Sequence, residues 1–402
     1  MPWKTNRTAS ITNKHSQFGI MGGLANRRTS GASSNRATNR LVIPRGAAEG
    51  LSYMKTYNLL SKNPLGSGGG NSNPKQGALR QPIKKAEATL GENVEQWGSI
   101  KDMITARGDF GLAANSKGKL YAVGGQDASG NNLKSGEVYD PTTDTWSAIA
   151  DMSAPRRSLG LAAIDDLIYA VGGASNWHDA SSSGEVYDPT TDTWSAIADM
   201  STARMDFGLA SLNGKLYAVG GQRWDTGDIL SSVEVYVPRT DTWTPAQSMT
   251  RGRIMHGIAA VPQLADHTGL LFVAGGFSLN GELGSEFDTS VDVYSPSFGG
   301  WALKKAQLDQ HDWLSDPMTM AAIDDNIYIV GAGEAVGTAS AKVYNAGLNG
   351  LIKGTVIATK KEGQIGIGLA ALNKKLYAVG GTSDAAYYDV LKSGEVYTPS
   401  PS

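Results

Sequence analysis

One phrase recurs six times and limits what this chain can fold into. It first reads Leu120-Tyr121-Ala122-Val123-Gly124-Gly125, an apolar run closed by two small residues. It returns from Ile168 to Gly173, Leu216 to Gly221, Leu271 to Gly276, Ile327 to Ala332 and Leu376 to Gly381. The first glycines of these pairs stand at 124, 172, 220, 275, 331 and 380, so successive spacings are 48, 48, 55, 56 and 49. A period of about fifty residues belongs to repeat architectures, in which each unit is too small to bury its apolar face and must stack on its neighbours.

Each unit reads as four short strands. The first is Gly-Leu-Ala-Ala or a near copy (Gly111 to Ala114, Gly160 to Ala163, Gly208 to Ser211), the second runs into the glycine pair, the third is Glu-Val-Tyr, and the fourth is Thr-Trp-Ser-Ala-Ile. β-Branched and aromatic residues bounded by turn formers, with no helical period, favour strands. Between the third and fourth strands, Asp140-Pro141-Thr142-Thr143-Asp144 makes a tight turn, because proline presets φ and aspartate bonds backbone amides. Four-stranded units of this length predict propeller blades.

The sequence resembles the kelch repeat family. That resemblance rests on the glycine pair, on the tyrosine about fifteen residues later, and on a tryptophan seven positions beyond it. Tyr139 and Trp146, Tyr187 and Trp194, Tyr236 and Trp243, and Tyr294 and Trp301 all keep the interval of seven. It covers roughly residues 93 to 402 and implies an all-β, six-bladed kelch-like β-propeller, with the tyrosines and tryptophans packed between blades. Blade five departs from the pattern, with Gly331-Ala332 for the pair and Leu351-Ile352 where the tryptophan belongs. Blade six lacks a fourth strand before Ser402. Upstream, Trp97-Gly98-Ser99-Ile100-Lys101-Asp102-Met103 aligns without a gap with Trp146-Ser147-Ala148-Ile149-Ala150-Asp151-Met152. A strand near Trp97 is therefore expected to complete the last blade and cover its open edge.

Charge divides the chain. Residues 1–95 hold fourteen Lys or Arg against four acids, a net of +10, and the rest holds twenty-two bases against thirty-four acids, a net of −12. The first part, residues 1–92, reads as an extended, largely irregular basic arm, rich in Asn, Ser, Thr and Gly and too poor in apolar residues to build a core. Gly66-Ser67-Gly68-Gly69-Gly70 reads as a flexible stretch within it. A short helix over Ala47 to Ser61 would put Tyr53, Tyr57 and Leu60 on one face. No apolar run reaches the eighteen or so residues of a membrane span, and none follows Met1 to Arg7 as a secretory signal would. The compartment expected is cytoplasmic or the interior of a virus particle.

Candidate binding residues gather where the repeats stop resembling one another. The loops after the glycine pairs carry Trp177 and His178 in the second unit and Arg223 and Trp224 in the third. Divergent loops on a rigid scaffold are where binding chemistry is placed. A second register supplies arginines four residues after a methionine: Arg107, Arg156, Arg204 and Arg253. The kelch resemblance implies that such blade-joining arginines ring the funnel and contact an acidic peptide; the alternative is that they cap strand ends or pair with neighbouring carboxylates. In the fifth unit His311-Asp312-Trp313 breaks the series, so His311 and Trp313 join the candidates, as does His256.

No catalytic, metal or cofactor site is expected. The histidines share no ligand spacing, and without cysteine there is no thiolate ligand, disulfide or thiol nucleophile. The favoured reading is a non-catalytic binding or structural protein, tethered by its basic arm in a larger assembly such as a virus particle. Its partners would be proteins or neighbouring subunits, reached through the arm and the variable loops. Nucleic acid is a weaker candidate for the arm, where only Trp3, Phe18, Tyr53 and Tyr57 offer stacking faces. The competing class is a carbohydrate-active enzyme of the sialic acid epimerase type, with Glu282, Glu286, Asp288 and His256 as the available proton-transfer groups.

Overall fold

In a computed structural model of the chain, the described residues are 97–399, apart from 177–178, 263–268, 281–283, 289, 308–317, 333–338, 347–349, 352–365 and 384–388. They form six four-stranded antiparallel sheets, one for each recurrence of the phrase. In blade one the strands run outward in chain order: Gly111–Ala114, Leu120–Val123, Gly136–Asp140 and Thr145–Ile149. Each innermost strand packs on the next, and that of blade six (Gly368–Leu372) packs on that of blade one, which closes the ring.

The second strands explain the constancy of the phrase. Leu120–Val123 is buried along its whole length, because both faces of a middle strand are covered by neighbouring blades. Such strands read as continuous apolar runs rather than alternations. Outer strands face water, and Thr145–Ile149 buries only Trp146 fully.

The glycine pair is a steric requirement. Gly124 and Gly125 have φ of +68° and +88°, where side chains are disfavoured. A Cβ on Gly124 would also lie 2.4 Å from the Arg156 carbonyl of the next blade, and one on Gly125 would lie 2.5 Å from the Gly108 carbonyl.

The Asp-Pro-Thr-Thr-Asp turn does two things. Asp140 accepts from the Thr142 amide within the turn. Asp144 reaches across to the preceding blade, accepting from the Lys101 amide (2.8 Å) and from the Tyr139 hydroxyl (2.7 Å). Trp146 Nε1 donates to the Lys101 carbonyl (2.9 Å), so both backbone groups of one residue are held by a single repeat. Asp192 and Trp194 hold Ala150 in the same way, and Asp241 and Trp243 hold Ala198. The tryptophans thus join blades by a directed hydrogen bond as well as by packing.

Blade six is made from both ends of the chain. Trp97–Ile100 pairs with Gly394–Tyr397, with Trp97 opposite Tyr397 and their ring centroids 5.4 Å apart. In blade five the described part of the fourth strand is only Gly350–Leu351. A 3-10 turn at Pro238–Thr240 is the helical element among the described residues, and none of their helices is long and apolar enough to cross a membrane. The segments expected as the arm and its short helix lie outside the described residues.

Because Trp97–Ile100 completes a sheet, deleting residues 1–100 is expected to lower the melting temperature by on the order of 10 °C relative to deleting residues 1–90, as followed by circular dichroism. Equal melting of the two truncations would contradict the closing role of this strand.

Candidate functional site

Two kinds of loop share one end of the propeller. Segments joining successive blades pair with the loops after the glycine pairs: Gly108 with Gln126, Arg157 with Ala174, Met205 with Gln222. In blade three this loop is a ribbon, Gln222–Arg223 against Asp228–Ile229. In blade four it is a longer hairpin, Phe277–Asn280 against Gly284–Phe287, extended by Arg253–Ile254. This is the face on which the repeats diverge.

The four arginines are buried here, and their partners lie within the fold. Arg107 has no exposed surface. Its Nη1 donates to the carbonyls of Gly124 and Ser135 (both 2.9 Å), and its Nη2 donates to Ser135 Oγ and Glu137 Oε1 (both 3.0 Å). Arg156 makes the same contacts with Gly172, Ser183 and Glu185, and Arg204 with Gly220, Ser232 and Glu234. Arg253 reaches Gly275, Ser290 and Asp292, with Asp288 at 3.2 Å. The glutamates have a second duty: Glu137 accepts from the amides of Ile104 and Thr105 on the segment entering the blade, Glu185 from that of Ser153, and Glu234 from those of Ser201 and Thr202. Burial pulls the Arg204 guanidinium pKa down, and Glu234, 2.7 Å away, opposes that pull. Of the two roles open to these residues in the sequence, the contacts within the fold are those of internal pairs with neighbouring carboxylates.

The sequence groups His256 with the variable face, but the structure packs it between blades three and four. Its ring lies beneath Gly208 and Gly220, where an added Cβ would come within 2.9 Å of it. The same slot holds Leu159 under Gly124, Phe207 under Gly172 and Phe110 under Gly380. Burial, with the Arg253 charge adding to it, pulls the imidazole pKa down to about 3. A neutral, enclosed ring is not placed for proton transfer. Asp288 is likewise engaged by Arg253 and by the amide and hydroxyl of Ser290.

Arg223 and Trp224 do lie at the tip of the blade-three ribbon. Arg223 pairs with the exposed Asp225 at 2.8 Å, a surface contact of the kind worth at most about 1 kcal/mol. Trp224 is half-buried. Trp177, His178, His311, Trp313 and Glu282 lie outside the described residues, and nothing is described of the Glu286 side chain.

A cluster that sequence reasoning missed stands at the leading ends of the innermost strands. Asp109, Ser158, Asp206 and Met255 occupy equivalent positions, all with φ between +50° and +54°. Their backbones form a chain around the axis: the Ser158 amide donates to Asp109 O (2.8 Å), Asp206 to Ser158 O (3.2 Å) and Met255 to Asp206 O (3.1 Å). Arg157 lies 4.0 Å from Asp109 Oδ2, and Gln222 Nε2 donates to Asp206 Oδ2 at 2.6 Å. Burial pushes the Asp109 carboxyl up, against the pull of Arg157 and with the neighbouring Asp206 adding to the rise. Asp206 is also raised by burial, which Gln222, Ser158 and Arg157 partly offset. The sequence signal was a break in the repeat: the two residues after each blade-joining arginine read Gly-Asp, Arg-Ser, Met-Asp and Ile-Met.

The ring of four-stranded blades, with its clasping tryptophans and glycine pairs, defines a β-propeller built from kelch motifs. The kelch motif family model matches residues 112–153, 155–201 and 203–250. Similar stretches occur in an F-box/kelch-repeat protein of Arabidopsis thaliana (41% identical over 63 residues, 16% of each chain), in beta-scruin of Limulus polyphemus (33% over 63 residues, 16% of this chain and 7% of that one), and in human kelch-like protein 11 (28% over 90 residues, 22% and 13%). The matches span at most about a sixth of these curated relatives. The chain thus carries kelch motifs, and its described residues form a six-bladed β-propeller.

Two outcomes follow from the buried groups. Glu234→Ala leaves the Arg204 charge and the Ser201 and Thr202 amides unpaired, and is expected to cost about 3–5 kcal/mol in urea unfolding; Glu234→Gln, which still accepts hydrogen bonds, is expected to cost clearly less. His256→Phe is expected to remove an acid sensitivity. With a folded pKa of about 3, below the usual value near 6.5, the unfolded chain binds the extra proton first. Stability is therefore fully present above about pH 6.5 and falls as pH drops toward 3. Melting curves between these pH values should flatten for the variant, and an unchanged pH profile would contradict the burial of a neutral imidazole.

Proposed function

We propose that this protein is a non-catalytic binding module whose protein partner docks on the face carrying the loops after the glycine pairs. Kelch repeats characteristically serve protein–protein interaction. The observation that carries the reading is the contrast between the two ends of the propeller. One end repeats a Thr-Asp turn whose aspartate is committed to holding the preceding blade. The other presents a different loop in each blade, including a ribbon with a half-buried tryptophan and a long hairpin.

In the finer version of this reading, the basic segment of residues 1–92 anchors the propeller in a larger assembly such as a virus particle. Its support is charge: residues 1–95 net +10 against −12 for the remainder. The enzyme alternative draws less support, since His256 and Asp288 are both committed within the fold.

The test is cross-linking mass spectrometry of the full chain in extracts of its source. Arg223→Glu with Trp224→Ala is expected to reduce partner recovery at least tenfold, while Thr191→Ala on the opposite end leaves it unchanged. Equal recovery from both variants would sink the assignment of the face. Truncating residues 1–90 is expected to release the protein from its assembly during sedimentation without unfolding it.

A further inference from the structure

The interface between blades three and four departs from its neighbours in two independent ways. In blades one to three an aspartate in the turn before the fourth strand clasps the preceding blade. Asp144, Asp192 and Asp241 accept from the amides of Lys101, Ala150 and Ala198, each at 2.8 Å. Blade four has Gly299 at this position. Its backbone is left-handed like theirs (φ +62°, against +47° to +53° for the aspartates), but it has no side chain to reach back. Of the two clasping contacts the tryptophan's survives, Trp301 Nε1 donating to the Gln247 carbonyl at 2.7 Å.

The second departure lies inside the same interface. The slot under the glycine pair holds Leu159, Phe207, Met318 and Phe110 elsewhere in the ring, and His256 here. Neither ring nitrogen meets a partner in hydrogen-bonding geometry; the backbone of Val219 and Arg253 favours a proton on the ring, but less than burial opposes it. The surrounding charges supply no counter-ion. Arg253, on the same segment, repels a second cation. From blade four, Asp292 is taken up by that guanidinium, and so is Asp288, which also lies 3.7 Å from Arg251. From blade three, Gly208 and Gly220 face the ring; Arg204, which donates to the Gly220 carbonyl, is paired with Glu234, and Asp206 is held by Gln222. The blade-five neighbour is Met318, whose amide donates to the Met255 carbonyl. An imidazolium in this slot is unpaired, whereas one exposed by parting of the blades is hydrated.

We propose that the interface between blades three and four is an acid-sensitive seam, which parts locally and ahead of the rest of the ring when His256 takes up a proton. Loss of stability in acid is thereby assigned to one interface. The ribbon of blade three and the hairpin of blade four flank this seam, and the Gly221 and Arg253 amides cross it, to the Arg253 and Leu230 carbonyls. Parting therefore changes the spacing of these two loops on the divergent face. The sign follows from linkage. The ring binds its proton near pH 6.5 when exposed and at about 3 when enclosed, so the closed form is favoured above pH 6.5 and opening gains about tenfold per pH unit below it.

The experiment is hydrogen exchange of the full chain, followed by mass spectrometry at pH 7.5 and 4.5, with rates corrected for the intrinsic pH dependence of exchange. Amides bonded across the seam (Gly221, Arg253 and Met255) are compared with their counterparts between blades one and two (Gly125, Arg156 and Ser158). Protection across the seam is expected to fall about 100-fold on acidification, and that between blades one and two by less than about threefold. Buried Arg–carboxylate pairs are present at both interfaces, so the comparison isolates the histidine. His256→Phe, which installs the residue already found under Gly172, is expected to abolish the seam-specific fall. Gly299→Asp, which restores the clasp on a backbone that is already left-handed, is expected to raise seam protection about tenfold at both pH values. Retained protection between blades one and two shows that each variant is folded. Equal loss of protection at both interfaces, an unchanged fall in His256→Phe, or no gain from Gly299→Asp would overturn the proposal.

Discussion

The propeller depends on a guanidinium with almost no access to water. In each of the first four blades an arginine on the entering segment donates to two carbonyls and a hydroxyl around the glycine pair, and to a carboxylate on the third strand. In blades one to three the carboxylate in turn accepts from backbone amides of the same segment. The arginine's own carbonyl meanwhile accepts from the second glycine of the preceding blade, as Arg156 does from Gly125. One residue therefore fastens its blade to the one before. Buried ions are costly to desolvate, and such a pair is stabilising only if nearly every donor and acceptor is matched. The glycine pair fits this scheme sterically, because a side chain there would displace the carbonyls that the arginines use.

The same scheme shows how the blades tolerate insertions. Blade four carries a hairpin after its glycine pair, which lengthens the repeat and stretches the sequence distance between arginine and carboxylate. The tie survives: Arg253 still meets Gly275, Ser290 and a carboxylate, now Asp292 with Asp288 beside it. Added chain leaves the fold beyond the tie and returns before it, so the loop can grow without loosening the sheet. Long surface insertions cost little closure entropy when their ends are already fixed. Variation is thereby directed to one end of the molecule.

The blades were legible because they are written six times over, and a pattern in register survives single departures such as Gly331-Ala332. The strand at Trp97 was legible for the same reason, since its residues repeat those from Trp146 onward. What the linear order concealed was pairing. Arg107 and Glu137 are thirty positions apart, and only the recurrence of both in neighbouring repeats connects them. His256 drew attention because histidine is rare in this chain, yet its slot becomes plain when it is aligned with Leu159 and Phe207, both apolar. Asp109 and Asp206 carry no such signal, because the positions they occupy do not repeat: Ser158 and Met255 stand there in the neighbouring blades.

Asp109, Ser158, Asp206 and Met255 share a left-handed backbone that only glycine adopts without cost. Aspartate tolerates it, whereas a residue such as methionine gives up roughly 1–2 kcal/mol. Blade six takes the cost-free solution with Gly366. In blades one to three the side chains kept there add to the backbone links between blades: Arg157 lies 4.0 Å from Asp109, and Asp206 is held by Gln222 and Ser158. In blades one to four the arginine is constant, while the two residues that follow it vary from blade to blade.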